Sequence, residues 1–257
     1  MSGSVLVVGT AGSGKTVFCA VLRRYLQSQS PDKTIINVNL DPAVQTLPYT
    51  AEIDVREYLD MQEIVDTYEL GPNGAMVHAT DLVASHMETI MEEIEDHEAD
   101  AVIVDTPGQL EIFVYRAAGP IIASRFDPDS TACLFLFDSN IVRRASSWIS
   151  VGLLAASTQF RLQLPMVYAL SKVDLLGEED LARMQRWAED VDFVVGDMDG
   201  GQESPYLRDL AISLSTALQE VQSHAPVVPF SSLEEEGIED LAAFLSRVWE
   251  KGDDWTI

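Results

Sequence analysis

Near its amino terminus the chain reads Val5-Leu6-Val7-Val8-Gly9-Thr10-Ala11-Gly12-Ser13-Gly14-Lys15-Thr16. The apolar run predicts a buried strand, and the periodic apolar residues after Thr16 predict a helix. A glycine-rich turn between such elements presents backbone N–H groups to an anion at a helix N-terminus. Lys15 adds positive charge, and the Thr16 hydroxyl can hold magnesium. The stretch Gly9–Thr16 therefore predicts a phosphate loop for a nucleoside triphosphate, and the alternative is a glycine turn that only caps a helix. The predicted binding residues are Gly12, Ser13, Gly14, Lys15 and Thr16.

Short apolar runs recur along the chain with helical patterns between them. They lie at 4–8, 34–38, 101–105, 131–137, 166–170 and 227–230. This alternation predicts an α/β fold, a three-layer open, mainly parallel sheet covered by helices on both faces. Two longer segments, about 51–98 and 177–224, predict helical insertions, the second of which contains a predicted loop at 196–201. We see no internal repeat or linker, so we expect a single domain over 1–257.

The composition is strongly acidic. The 257 residues include 42 acidic and 16 basic side chains, for a formal charge of −26. The acids are spread along the chain and only four residues are lysine, a pattern that suits concentrated salt, where charge repulsion is screened. We interpret the source as a halophile, the alternative being an acidic protein with a basic partner. Nucleic-acid binding needs clustered lysine and arginine, so we expect no direct nucleic-acid partner.

Two further features concern cellular location. The chain goes directly into the first strand without a basic leader, and no apolar run is long enough to span a membrane. We therefore expect a cytoplasmic protein with no membrane partner. Cys19 and Cys133 fall in segments predicted to be buried, which favours core packing over a disulfide.

Asp105-Thr106-Pro107-Gly108 follows the third main strand. The carboxyl ends of parallel strands meet at one edge of a sheet, so the Asp105 carboxylate should approach the phosphate loop. We expect Asp105 to hold magnesium through water, and the Gly108 amide to contact the terminal phosphate and release it after hydrolysis. The tetrapeptide alone is a weak signal.

A candidate base-binding loop is formed by Ser171-Lys172-Val173-Asp174. A carboxylate at Asp174 can accept the N1 and N2 protons of guanine, whereas adenine offers an acceptor at N1. Lys172 would pack its stem along the base. Ser171 stands where most GTPases carry asparagine, and it is expected to be too short for the same bracing contacts. The backbone amides of Ser231-Ser232 are expected near the guanine oxygen. For Ser171-Lys172-Val173-Asp174, the alternative is a capped start of a helix.

Asn39-Leu40-Asp41-Pro42-Ala43 follows the second strand and places one more carboxylate at this edge. Asp41 is a candidate for orienting or deprotonating the attacking water. A plain Asp-Pro turn explains the spacing equally well.

From its residues alone, Gly71-Pro72-Asn73-Gly74 is interpreted as a turn in which Gly71 ends one helix and Asn73 caps the next. Together with this turn, the segments above occur in an order that resembles the GPN-loop GTPases. Within P-loop NTPases, that family belongs to the SIMIBI class. The resemblance implies a homodimer in which Asn73 reaches the partner's phosphates, while Asp41 and Gln109 surround the hydrolytic water. From the resemblance, the expected catalytic residues are Asp41, Gln109, Asn73 and Lys15. The Mg2+ ligands it implies are Thr16, Asp41 and Asp105.

The function expected from this sequence is a GTP-binding and GTP-hydrolysing switch whose nucleotide state alters a dimer and, through it, an unknown client protein. Two ATP-dependent alternatives remain. One is a small-molecule kinase, although no arginine cluster suggests a lid. The other is a cofactor-insertion ATPase, but the four histidines, at 78, 86, 97 and 224, show no ligand spacing.

Overall fold

A computed structural model of the chain describes residues 3–198, 205–222 and 226–250. Its centre is a seven-stranded sheet in the order β3-β2-β4-β1-β5-β6-β7. Every neighbouring pair in it is parallel. The strands are β1 (Gly3–Gly9), β2 (Ile35–Asn39), β3 (Ile53–Asp54), β4 (Ala101–Asp105), β5 (Thr131–Asp138), β6 (Met166–Ser171) and β7 (Val227–Phe230). The predicted open parallel α/β sheet is confirmed. The structure contains the six predicted strands and one more, the two-residue strand β3 at one edge of the sheet.

Helices cover both faces of the sheet. They are α1 (Lys15–Gln29), α2 (Met61–Tyr68), α3 (Pro72–Asp96), α4 (Leu110–Phe113), α5 (Ala118–Ala123), α6 (Ala145–Leu162), α7 (Glu178–Glu189), α8 (Val191–Met198), α9 (Pro205–Gln222) and α10 (Ile238–Trp249). On one face, Phe18 of α1 and Leu245 of α10 belong to one core cluster. On the other face, Ile90 of α3 and Trp148 of α6 belong to a second. Burial on both faces explains why the central strands are continuously apolar.

The first insertion is a helical hairpin. Asp60 caps α2 by accepting from the backbone N–H groups of Gln62 and Glu63. Glu69 then takes a left-handed conformation and ends the helix. Gly71 is the N-cap of α3 and Pro72 occupies its first turn, which suits a residue that has no N–H to donate. Our sequence interpretation, in which Gly71 ended one helix and Asn73 capped the next, was therefore wrong, because Asn73 lies inside the first turn of α3.

The second insertion, α7 to α9, packs against α6. Trp187 of α7, Val194 of α8 and Leu218 of α9 share the core cluster of Trp148, so these helices form part of the layer that covers the sheet. Gly196 was predicted to begin a loop, but α8 continues through Met198. The rest of that predicted loop, 199–201, lies outside the described residues.

Two expectations about buried and apolar segments can be compared with the structure. Cys19 in α1 and Cys133 in β5 are both free and buried, and burial raises the pKa of each thiol. Within the described ranges, no helix combines the length and the apolar character needed to cross a membrane.

Candidate functional site

The predicted motifs follow β1, β2, β4, β6 and β7 at the carboxyl edge of the sheet. Because all strands run in one direction, their carboxyl ends share one edge, where open α/β sheets bind ligands. At this edge, Lys15 donates to the carbonyl of Gly108. The Ser171 hydroxyl lies within hydrogen-bond distance of the carbonyl of Ser13. The sheet therefore brings together segments that are 158 positions apart in sequence.

The phosphate loop bends through two left-handed glycines, Gly12 with φ 76° and Gly14 with φ 94°. Gly14 is the N-cap of α1, so the amides of the first helical turn face the loop. The ammonium of Lys15 donates to the carbonyls of Gly9 (3.1 Å), Thr10 (3.2 Å) and Gly108 (3.1 Å). Burial lowers the pKa of Lys15, against the opposing effect of Asp105. A cation held between two loops in this way is suited to binding phosphate.

Asp41 connects the loop after β2 to the loop after β4. Its Oδ1 accepts from the N–H of Ala43 at 2.9 Å, which closes a two-residue turn. Its Oδ2 accepts from the N–H of Gly108 at 3.1 Å. Oδ1 of Asn39 accepts from the N–H of Asp41 at 3.0 Å and so holds the same loop. Asp41 thus forms the predicted turn and also lies against the residue expected to contact the terminal phosphate. Burial raises its pKa, and hydrogen bonds from Ala43 and Gly108 oppose the shift.

Asp105 lies at the end of β4 with only 1% of its surface exposed. Its Oδ2 accepts from the hydroxyl of Tyr49 at 2.9 Å, while its Oδ1 is buried and has no hydrogen-bond partner in the described part of the chain. Burial raises the pKa of Asp105 to about 6, although the hydroxyls of Thr16 and Tyr49 act to lower it. Carboxylate and hydroxyl oxygens are the donors that magnesium prefers. Oδ1 of Asp105, unpaired among the described residues, and the nearby Thr16 hydroxyl therefore fit such an ion.

Ser171 departs from the expectation that serine is too short to brace the loop. Its Oγ lies 2.8 Å from the carbonyl of Ser13 and 3.1 Å from that of Phe137. The hydroxyl carries one proton, so it donates to one of the two at a time. Ser171 reaches the phosphate loop because β6 and β1 each pair with β5, which brings their ends close. The prediction of lost bracing was wrong.

Lys172 adds a second contact to the phosphate loop. Its ammonium lies 2.5 Å from the carbonyl of Gly12 and 2.8 Å from Oδ2 of Asp138. Asp138 is the last residue of β5 and is 5% exposed. Sequence reasoning missed Asp138, although a carboxylate directly after the apolar run of β5 was a usable signal. The pair is a second anchor of the candidate base-binding loop.

Asp174 and Ser231 meet where the guanine base is expected. The Ser231 hydroxyl donates to Oδ1 of Asp174 at 2.7 Å, which leaves Oδ2 as the other acceptor of the carboxylate. The N–H of Ser231 donates to the carbonyl of Glu236 at 3.1 Å. Of the two serine amides predicted to contact the base, that of Ser231 is therefore already engaged within its own loop.

Four predicted residues lie outside this cluster of contacts. Gly71, Pro72 and Asn73 are exposed at the tip of the α2–α3 hairpin. Gln109 is half-buried at the N-cap position of α4, directly after Gly108. Tyr49, in contrast, was missed and lies inside the site. It sits in a turn-rich stretch whose sequence carries no signal for a contact with Asp105.

Comparisons with known proteins agree with these motifs. Residues 7–250 match a family model described as a conserved hypothetical ATP binding protein. GPN-loop GTPase 1 of Schizosaccharomyces pombe is 32% identical over 98% of this chain and 70% of its own length. A GPN-loop GTPase of Pyrococcus abyssi is 33% identical over 92% of this chain and 93% of its own length.

The length and the fold agree with the same relatives. The chain spans 59% of the Dictyostelium discoideum GPN-loop GTPase 1, so some relatives are considerably longer. A crystal structure of a Pyrococcus abyssi GTPase in its apo form superimposes with a TM-score of 0.84 at 30% identity, covering 96% of this chain and 98% of that one. The likeness in sequence and fold extends over nearly the whole chain, and the chain belongs to the GPN-loop GTPase family.

Proposed function

We propose that this chain, as one domain over 1–257, binds and hydrolyses GTP and acts as a homodimeric switch. The observation that carries the proposal is the position of Lys15, whose ammonium bridges the phosphate loop at Gly9 and the Asp105–Gly108 loop at Gly108. A terminal phosphate bound there would contact both loops. Its loss on hydrolysis would then free the loop after β4, as in other nucleotide switches.

Guanine is the proposed base. Asp174 offers a carboxylate whose Oδ1 is held by Ser231 at 2.7 Å. A carboxylate accepts the two N–H groups of guanine, but it opposes the N1 lone pair of adenine. Lys172 would pack along the base while its ammonium stays on Gly12 and Asp138. The matching family model is described by ATP binding, so base choice is the first property to measure.

Magnesium is the proposed cofactor. Thr16, Asp41 and Asp105 are the residues proposed to hold it, Asp105 through water. The bound ion would neutralise negative charge on the phosphates. The buried and unpaired Oδ1 of Asp105 supports this assignment.

For hydrolysis, Asp41 is the proposed group that orients the attacking water or accepts its proton. The water oxygen forms the new bond to the terminal phosphorus, and the bond to the GDP oxygen breaks. Burial raises the pKa of Asp41, a direction that makes a carboxylate a stronger base. Gln109, beside Gly108, would orient the same water through its amide.

A second copy is proposed to complete the site. Gly71, Pro72 and Asn73 are exposed at the start of α3, so the Asn73 amide is accessible to a partner. In this proposal Asn73 reaches the partner's phosphates, and association of the two copies changes with the nucleotide and acts on assembly of a client complex. The acidic composition supports a salt-adapted cytoplasmic protein.

Competition binding tests the base assignment. The labelled nucleotide is GDP, the competitors are GDP and ADP, and the buffer contains concentrated potassium chloride and magnesium. We expect GDP to compete at far lower concentration than ADP. Equal competition would contradict the GTPase proposal, and Asp174→Ala should abolish the preference if this carboxylate reads the base.

A mixing experiment tests the contribution in trans. Lys15→Ala removes the phosphate-binding cation in its own subunit, and Asn73→Ala removes the group donated to the partner. Each variant alone should hydrolyse GTP slowly. In an equal mixture, random pairing gives about one intact composite site in four, so about a quarter of wild-type turnover should return. No recovery, with mixed dimers shown to form, would contradict a role of Asn73 in trans.

A further inference from the structure

Tyr49 contacts the carboxylate proposed to serve the metal. Its hydroxyl donates to Oδ2 of Asp105 at 2.9 Å. Asp105 is 1% exposed, and its other oxygen, Oδ1, is buried with no hydrogen-bond partner among the described residues. The two carboxylate oxygens are therefore not equivalent, since one is occupied by a phenol and the other is free for a ligand.

Hydrogen bonds from α1 and β2 hold the backbone next to Tyr49 in place. Arg23 of α1 donates to the carbonyl of Thr50 at 2.7 Å and pairs with Glu52 at 2.6 Å. Glu52 in turn accepts from the N–H of Asn37 in β2 at 2.8 Å. The segment that carries Tyr49 is thus fixed to both the first helix and the sheet, and the phenol approaches Asp105 from a defined direction.

Such a donor matters because the last torsion of aspartate is broad and roughly two-fold, so a free carboxylate turns at little cost. A hydrogen bond to one oxygen removes that freedom. Residues that hydrogen-bond a metal's ligands in this way tune its affinity, with typical losses of about 10- to 100-fold when they are replaced.

We propose that Tyr49 is a positioning residue for magnesium. By occupying Oδ2 of Asp105, it fixes the rotation of the carboxylate and leaves Oδ1 for the magnesium that Thr16 and Asp105 would hold. This inference rests on the proposed function, because it requires the nucleotide–magnesium complex. The other explanation of the contact is that Tyr49 only satisfies a buried carboxylate and contributes to folding.

Tyr49→Phe separates the two explanations, because it keeps the ring and removes only the donor. Tyr58→Phe is the matched control. The Tyr58 hydroxyl donates to Oε1 of Glu93 at 2.5 Å, so the same substitution removes a phenol–carboxylate bond outside the site. The metal readout is calorimetric titration of Mg2+ into the GDP complex, supported by electron paramagnetic resonance with Mn2+, and GDP affinity is measured in EDTA.

For Tyr49→Phe we expect the Mg2+ dissociation constant to rise about tenfold, with GDP affinity in EDTA unchanged. Tyr58→Phe should bind Mg2+ as the wild type does. A folded Tyr49→Phe with wild-type Mg2+ affinity would overturn the inference while leaving the proposed function intact. A wild-type GDP complex that binds no Mg2+ would overturn the inference together with the magnesium assignment.

A second variant covers the case in which Tyr49→Phe does not fold. Arg23→Gln loosens the backbone beside Tyr49 without touching Asp105. It should raise the Mg2+ dissociation constant in the same direction, by a smaller factor. If Arg23→Gln binds Mg2+ with wild-type affinity, the positioning role is wrong.

Discussion

The N–H of Gly108 donates to Oδ2 of Asp41 at 3.1 Å, and the carbonyl of Gly108 accepts from Lys15 at 3.1 Å. Both backbone polar groups of Gly108 are therefore held by residues expected at the terminal phosphate. If a phosphate oxygen accepts the Gly108 N–H, Asp41 must release it. Arrival of the nucleotide would then free the Asp41 carboxylate at the moment when water has to be positioned.

Replacing Asp41 by asparagine should slow GTP hydrolysis and spare GDP binding measured in EDTA, where the magnesium that Asp41 is also proposed to hold is absent. Asparagine can keep the two-residue turn with Ala43 but is not a proton acceptor of comparable strength. The loss expected for a positioned acid–base group is about 100-fold or more in turnover. Single-turnover phosphate release measures it. Asp127→Asn is the control, because Asp127 forms the same kind of turn with Asp129 at the opposite edge of the sheet. Wild-type turnover in Asp41→Asn would exclude this role.

Replacing Asp174 by asparagine should exchange base preference. The asparagine side chain can present an N–H donor toward the 2-amino group of guanine, which is itself a donor. Xanthine carries a carbonyl oxygen, an acceptor, in place of that amino group. Each charged hydrogen bond contributes about 1.5–3 kcal/mol, so GDP affinity should fall at least about tenfold while xanthosine diphosphate binding improves. Parallel titrations with the two diphosphates measure the exchange. Equal losses for both would mean that Asp174 supports the loop without reading the base.

Replacing Asp138 by asparagine should weaken nucleotide binding without changing base preference. In the ion pair with Lys172, the side chain of Asp138 is 7% exposed. Removing the Asp138 charge leaves the Lys172 ammonium its contact with Gly12 but not the ion pair. We expect about a tenfold loss of GDP affinity with the ratio of GDP to ADP affinity retained. Asp180→Asn, which removes an exposed pair with Arg183, should bind as the wild type does. A changed GDP to ADP ratio would contradict the anchoring role.

The sheet was predictable because buried parallel strands require continuous apolar runs, and β4 and β5 provide them. The edge strand β3 was missed because two residues, Ile53 and Asp54, form no pattern. Asp41 and Asp105 were found because a carboxylate that follows a predicted parallel strand should lie at the ligand-binding edge. Asp138 was missed although it ends β5 and the same rule applies. Tyr49 could not be found, since its contact depends on the path of a loop and on Arg23 in a distant helix. Ser171 was misjudged because side-chain length alone ignores how closely the strand ends approach.

Dilution of salt should destabilise the protein. The chain carries a formal charge of −26, and the Debye length grows from about 3 Å at 1 M to about 10 Å at 0.1 M salt. Repulsion among surface carboxylates should therefore lower the thermal midpoint as potassium chloride is diluted. Thermal unfolding followed by circular dichroism across a salt series measures the change. A midpoint that stays constant into dilute buffer would contradict the salt-adapted proposal.

Asp105 should make the metal-free protein less stable as pH rises. Its pKa is about 6 in the folded state and about 3.9 in an unfolded chain. The folded state therefore binds more protons between these values, and stability falls as pH increases through that window. The cost is fully present above about pH 6 and disappears below about pH 4. A shift of about 2 units corresponds to on the order of 3 kcal/mol.

Asp105→Asn removes this titration, so the variant should be more stable than the wild type at pH 7 to 8, and the difference should shrink as pH falls from about 6 to about 4. Denaturant unfolding at each pH, in EDTA and without nucleotide, measures the gap. Asp129→Asn, at an exposed loop position, gives the background for loss of one carboxylate. A gap that is constant across this range would mean that the Asp105 charge is already balanced in the empty site. Added Mg2+ and GDP should reverse the order, because the charged carboxylate then holds the metal and the asparagine does not.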